Sequence, residues 1–160
     1  MKGDVIYVVR LLRKQEQRLI LAYYKNLHYR IFWQQFKDGF PSYRHYGIDV
    51  GDGTAVHFRG DRFLIQRTAW IQRTSLQSFL SGGELHVEED VDYAFTRDEV
   101  TVRALSEVGG NFGGYNFIFN NCEHFAYWCA TGKKISKQVL LREDIQHRCT
   151  GIKGSGTVEQ

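Results

Sequence analysis

Arg44-His45-Tyr46-Gly47-Ile48-Asp49-Val50-Gly51-Asp52-Gly53-Thr54-Ala55-Val56-His57-Phe58 reads as a β-hairpin, and its register decides which side chains share a face. Gly51-Asp52-Gly53 supplies the turn. A three-residue loop pairs Val50 with Thr54, Ile48 with Val56 and Tyr46 with Phe58, giving one largely apolar face. The same register sets His45 and His57 on the other face as a diagonal pair across the strands. A two-residue loop would split the histidines between faces and spoil the apolar one. The odd loop is therefore the prediction, and Gly47, opposite His57, leaves space beside it.

Upstream, Asp4-Val5-Ile6-Tyr7-Val8-Val9 is β-rich and predicts a first strand. Leu19, Tyr23, Leu27 and Ile31 then recur every four residues, which fits a helix. Downstream, Phe63 to Arg73 reads as one or two strands. Ser75 to Leu80 reads as a short helix ended by Gly82-Gly83, and Leu85-His86-Val87 as a strand before an acidic loop. Thr96-x-x-Glu99 is a capping box before a helix with Val100, Ala104, Leu105 and Val108 inward, stopped by Gly109-Gly110. Tyr115 to Phe119 is a predicted strand. Asn121 then caps a helix that ends near Gly132.

With 160 residues the chain fits one domain with a real core, and 42% hydrophobic with 24% charged residues fits a soluble globular protein. A net charge of +3 is too mild to indicate a nucleic-acid binder by itself. Its distribution is uneven. Arg10, Arg13, Lys14, Arg18, Lys25, Arg30, Lys37 and Arg44 face only Glu16 and Asp38, whereas Glu84 to Glu99 is strongly acidic. Three cysteines, Cys122, Cys129 and Cys149, do not form a disulfide framework and point to a reducing, cytoplasmic setting. No signal peptide is expected, and the longest apolar run, Leu19 to Tyr24, is too short to span a bilayer. Lys2 excludes N-myristoylation, and the C-terminus is not a prenylation box.

Chemistry is concentrated in Asn120-Asn121-Cys122-Glu123-His124-Phe125. Cys122 falls in the first turn of its helix, where the backbone dipoles and free N–H groups favour a thiolate. With His45 as base and His57 holding the tautomer of His45, the set suits acyl transfer through a thioester. Backbone N–H groups at the helix start could stabilise the oxyanion. Core packing is the rival explanation, because Cys122, Phe125, Ala126 and Cys129 share one helix face; the pattern leaves both open. Cys129 reads as core, and His124 as a surface or supporting residue rather than the base. Zinc does not fit, because Cys122 and Cys129 lie two turns apart, about 10 Å, and zinc–sulfur bonds are ~2.3 Å. No cofactor is expected. The basic aromatic segment, with Arg18, Lys25, Arg30, Trp33 and Lys37, reads as a helix docked on the sheet, a contact to an acidic membrane surface, or an RNA contact. The acidic stretch offers it an internal partner.

Gly3-Asp4-Val5-Ile6-Tyr7, the His45 to Phe58 hairpin and Asn121-Cys122-Glu123-His124-Phe125 resemble the lecithin:retinol acyltransferase, or H-box/NC, family. This is a permuted branch of the NlpC-type papain-like thiol hydrolases. Arg73-Thr74-Ser75-Leu76 and Phe79-Leu80-Ser81-Gly82-Gly83 resemble its middle section. The resemblance implies an α+β fold with an antiparallel sheet and the nucleophile helix packed on it. It implies a single domain over 1–149, with an insertion at about 11–42 and a flexible tail over 150–160. It implies Cys122 as nucleophile, His45 as base and His57 as third polar group. The implied activity is phospholipase A-type hydrolysis or acyl transfer from a lipid-like donor. The long basic insertion departs from the family, as does the lack of a hydrophobic C-terminal anchor. Picornaviruses carry family proteins of this general size, and the terminal Val158-Glu159-Gln160 fits release after glutamine. In that branch the expectation is a non-proteolytic, non-enzymatic protein that binds RNA or a host factor through its basic segment, in the host cytoplasm.

Overall fold

The hairpin forms as its alternation predicts. In a computed structural model that describes residues 2–11, 42–60, 69–115 and 120–137, strand β2 (Ser42–Asp49) turns into β3 (Thr54–Gly60), with Ile48 opposite Val56 and Asp49 opposite Ala55. The Val50 N–H donates to the Thr54 carbonyl at 3.0 Å, which closes the three-residue loop. Gly51 and Gly53 take φ of +89° and +83°, a region that side chains resist. Asp52 accepts from the Thr54 amide and hydroxyl and pairs with Arg73, so the turn is pinned by its own polar residue.

Strand β1 (Val5–Leu11) pairs antiparallel with β2 along its whole length, from Val5–Ile48 to Leu11–Ser42. Strand β4 (Ala69–Ser75) pairs antiparallel with all of β3, from Thr54–Ser75 to Gly60–Ala69. Helix α1 (Leu76–Leu80) follows, capped by the Ser75 hydroxyl and ended by Ser81 at φ +48°, one residue before the predicted glycines. Strand β5 (His86–Val87) adds to the free side of β1. The result is a five-stranded antiparallel sheet in the order β4-β3-β2-β1-β5, an α+β architecture.

Helix α2 (Arg97–Ser106) carries the predicted capping box of Thr96 and Glu99. It stops a turn before Gly109, and Val108 is exposed instead of inward. Helix α3 (Cys122–Thr131) starts at the Asn121 cap and ends on Gly132 in the left-handed conformation.

The sheet has two unlike faces. Val5, Tyr46, Ile48, Val56, Phe58 and Ile71 pack under α2 and α3 in the main core. Ile6, Val8, Ala55 and Phe79 form a smaller cluster on the reverse, beneath α1. Each large apolar side chain fully buried this way contributes roughly 1.5–3 kcal/mol. The predicted helix at 19–31, the segment carrying Arg18, Lys25, Arg30, Trp33 and Lys37, residues 61–68, residues 116–119 of the predicted last strand, and the tail lie outside the described residues.

Candidate active site

The β2–β3 ladder is zipped at the turn and open at its far end. In a regular antiparallel ladder the alternation that bonds Val50 to Thr54 would hand the Tyr46 N–H to Phe58. The pairing ends instead at Ile48–Val56, and the Tyr46 N–H donates to the Cys122 sulfur at 3.5 Å. The predicted Tyr46–Phe58 pair is thus not part of the ladder. The Cys122 thiol also points to the Arg44 carbonyl at 4.0 Å. Its sulfur therefore rests against both peptide groups that flank His45.

The two histidines meet as the register predicted. His45 Nε2 and His57 Nδ1 are 2.8 Å apart, with the rings near perpendicular. Phe79 packs against both imidazoles, tilted over His45 at 5.4 Å and edge-on to His57 at 5.2 Å between centroids. Gly47 makes room for this arrangement: a Cβ there would lie 3.0 Å from the Phe79 ring and 3.3 Å from the His57 Cβ. On its other side His57 Nε2 lies 3.0 Å from the Thr74 hydroxyl. Thr74 sits diagonal to His57 on the neighbouring strand, two residues beyond its direct partner Gln72. The sequence reading missed Thr74, because the β3–β4 register is not legible from either strand alone.

Burial dominates the electrostatics. His57 is completely enclosed, and its pKa falls to about 3, first by desolvation and then through the Arg59 and Arg10 charges. His45 lies well below its ordinary 6.5 for the same first reason, aided by His57 and the same two arginines. Both imidazoles are therefore neutral near pH 7. The thiol corrects an expectation. Instead of being drawn down by the helix start, Cys122 is pushed up to about 12, because loss of solvent outweighs the Tyr46, Glu123 and Cys122 N–H groups near the sulfur. The neighbouring Glu123 carboxylate pushes in the same direction. At rest Cys122 is a protonated thiol and His45 a neutral imidazole, and no hydrogen bond joins the two side chains.

The helix start is tightly built. The Asn121 side chain accepts from the Glu123 and His124 amides at 2.9 and 3.2 Å. His124 completes the cap by accepting from the Asn121 amide at 3.3 Å, which makes it a buried capping residue and not a surface one. Glu123 is fully buried, and its carboxylate accepts from the Ser136 hydroxyl and, at 2.9 Å, from the Lys137 amide. That tie holds Ser136 and Lys137 against α3. Cys129 is buried in the main core, as expected. The basic and acidic stretches meet where Arg44 reaches Glu88 at 3.5 Å, beside the Tyr46 hydroxyl at 2.8 Å from the same carboxylate.

No helix among the described residues is long and apolar enough to cross a membrane. The chain matches the family model described as lecithin retinol acyltransferase over residues 28–135. It is 29% identical over 120 residues to lecithin retinol acyltransferase of Homo sapiens, covering 59% of this chain and 51% of that protein. The Bos taurus protein of the same name gives the same identity and coverage. Phospholipase A and acyltransferase 4 of Homo sapiens is 24% identical over 110 residues, covering 61% of this chain and 67% of the relative. The chain thus spans about half the length of the lecithin retinol acyltransferases it matches. A family model covering most of the chain agrees with an antiparallel sheet that seats a helix-start cysteine against the backbone of the strand carrying His45, and the chain belongs to the lecithin retinol acyltransferase family.

Proposed function

We propose that the protein is a thiol-dependent acyl hydrolase or acyltransferase that takes an acyl group from a lipid-like ester. Cys122 attacks the ester carbonyl while His45 takes the thiol proton, so charge never has to reside on the buried sulfur before attack. The tetrahedral oxyanion is held by the Tyr46 amide, which already faces the sulfur, and by the Cys122 amide. Collapse breaks the ester C–O bond, His45 returns its proton to the leaving alcohol, and a thioester remains on Cys122. Water, an amine or an alcohol then attacks the thioester, His45 takes a proton from it, and the thiol is regenerated. His57 orients His45 throughout. The observation that carries this reading is the Cys122 sulfur lodged against both peptides that flank His45, in a gap opened in the sheet. The names of the relatives favour the same reaction class.

The test is intact-mass spectrometry after incubation with a phospholipid or an activated ester. A single acyl adduct is expected on the native protein, lost in Cys122→Ala and strongly slowed in His45→Ala. An unmodified native protein under both acyl donors would leave the non-enzymatic reading in its place, with Lys25 and Arg30 in the basic segment as the residues to mutate for partner binding.

A further inference from the structure

The protons of the histidine pair can be counted. With both imidazoles neutral, each carries one N–H. One proton lies between His45 Nε2 and His57 Nδ1, at 2.8 Å, and one hydrogen bond joins His57 Nε2 to Thr74 Oγ1, at 3.0 Å. Two arrangements satisfy both contacts. If the Thr74 hydroxyl donates to His57 Nε2, then His57 carries its proton on Nδ1 and gives it to His45 Nε2. His45 must then hold its own proton on Nδ1, and it has no lone pair left with which to accept from a thiol. If His57 Nε2 donates to Thr74 Oγ1 instead, His57 Nδ1 accepts from His45 Nε2–H. His45 Nδ1 is then a bare acceptor. That nitrogen makes no hydrogen bond to a described residue. The bond at Thr74 thus sets the tautomer two rings away.

We infer that Thr74 is a positioning residue for the reaction: its hydroxyl oxygen accepts the His57 Nε2 proton and so keeps His45 Nδ1 unprotonated and able to act as base. This rests on the acyl-transfer reading for its consequence, but not for its observation. The geometry fits the role. Thr74 lies on β4, which pairs with β3 over its full length, so its hydroxyl is carried by a fully paired strand. Phe79 closes over both imidazoles and narrows the ring orientations open to them.

The test uses the full chain with ¹⁵N-labelled histidine. In the native protein near pH 7, His57 should show a protonated Nε2 and His45 an unprotonated Nδ1. In Thr74→Val, which keeps the shape and removes the acceptor, that tautomer bias should be lost. The rate of Cys122 acylation by an activated ester should then fall by roughly 10- to 100-fold, a part of the roughly 10²- to 10⁴-fold that a general base contributes. Thr74→Ser should restore both the nitrogen shifts and most of the rate. A native protein with His57 protonated on Nδ1, a Thr74→Val protein that acylates at the native rate, or a Thr74→Ser protein no better than Thr74→Val would each overturn the inference. If Thr74→Val does not fold, the native nitrogen shifts still decide. If the native protein takes no acyl group, the acyl-transfer reading fails, while the tautomers are still read directly.

Discussion

Cys122 and Cys129 stand two turns apart on one helix and are almost equally hidden, at 4% and 0% exposure. Burial pushes both thiols up. Neither exposure nor acidity separates the proposed nucleophile from its neighbour along the helix. What separates them is what each sulfur meets. Both pack in the main core, but Cys122 also meets an amide and a carbonyl of a strand that has parted from its neighbour. A gap in a hydrogen-bond ladder creates polar groups that need partners, and here the sulfur supplies one. The site is a defect in the sheet, held open by the helix start that fills it.

The comparison can be broken most decisively with His45. His45→Ala should slow acylation of Cys122 by about 10²- to 10⁴-fold, and stopped-flow or quenched mass measurements would read it. The same substitution should leave the slow alkylation of buried Cys129 under native conditions unchanged. Faster alkylation of Cys129 alongside slower acylation of Cys122 would mean the histidine acts only through folding.

The pH dependence of stability sharpens the comparison from both ends. His57 and His124 have folded values near 3 and 4, and His45 is also lowered, against an unfolded value near 6.5. Between those limits the unfolded chain binds more protons, so stability rises with pH and is lost on acidification below about 6.5, by up to roughly 1.4 kcal/mol per pH unit per histidine. The cysteines act in the opposite sense. Their folded values lie above the unfolded one, so the folded chain holds more protons above about pH 9 and stability falls as pH rises further. Urea midpoints across pH 4–10 should trace a dome. Cys122→Ala and Cys129→Ala should each flatten only its alkaline side, and His57→Gln should flatten only its acid side.

Gly47→Ala should cost about 1–3 kcal/mol, as an inserted methyl does in a packed site, and should slow acylation because the Phe79 ring and the His57 side chain are what must shift. The smallest effects come from the helix caps. Asn121→Ala and Thr96→Ala should each cost about 1 kcal/mol, but only the first should lower the acylation rate, because only α3 begins at the proposed nucleophile. An equal loss of rate from both caps would remove the special standing of that helix start.

Much of the site was legible in local pattern. The alternation from His45 to Phe58 fixed the loop length and brought two residues twelve positions apart onto one face. Asn121 and Gly132 bracketed the helix, and Thr96 with Glu99 announced another. The failures have a common cause. Val108 was assigned inward by helical period, but the helix ends before it. His124 was left open between a surface and a supporting role, and it takes the supporting one, folding back to accept from the Asn121 amide. Thr74 and Glu123 were not singled out, because their partners lie on a neighbouring strand or beyond the end of the helix, farther than a short window reaches.

The sequence by itself determined the hairpin register, the histidine pairing and the cysteine at a helix start, because these arise from periods of two and 3.6 residues and from capping chemistry over three or four positions. Only the tertiary structure decided that the sheet parts at Tyr46, that the sulfur enters the gap, and that the thiol is raised rather than lowered. Those outcomes depend on how completely distant elements exclude water from one point. Desolvation is a property of the whole surrounding shell, and no single stretch of chain encodes it.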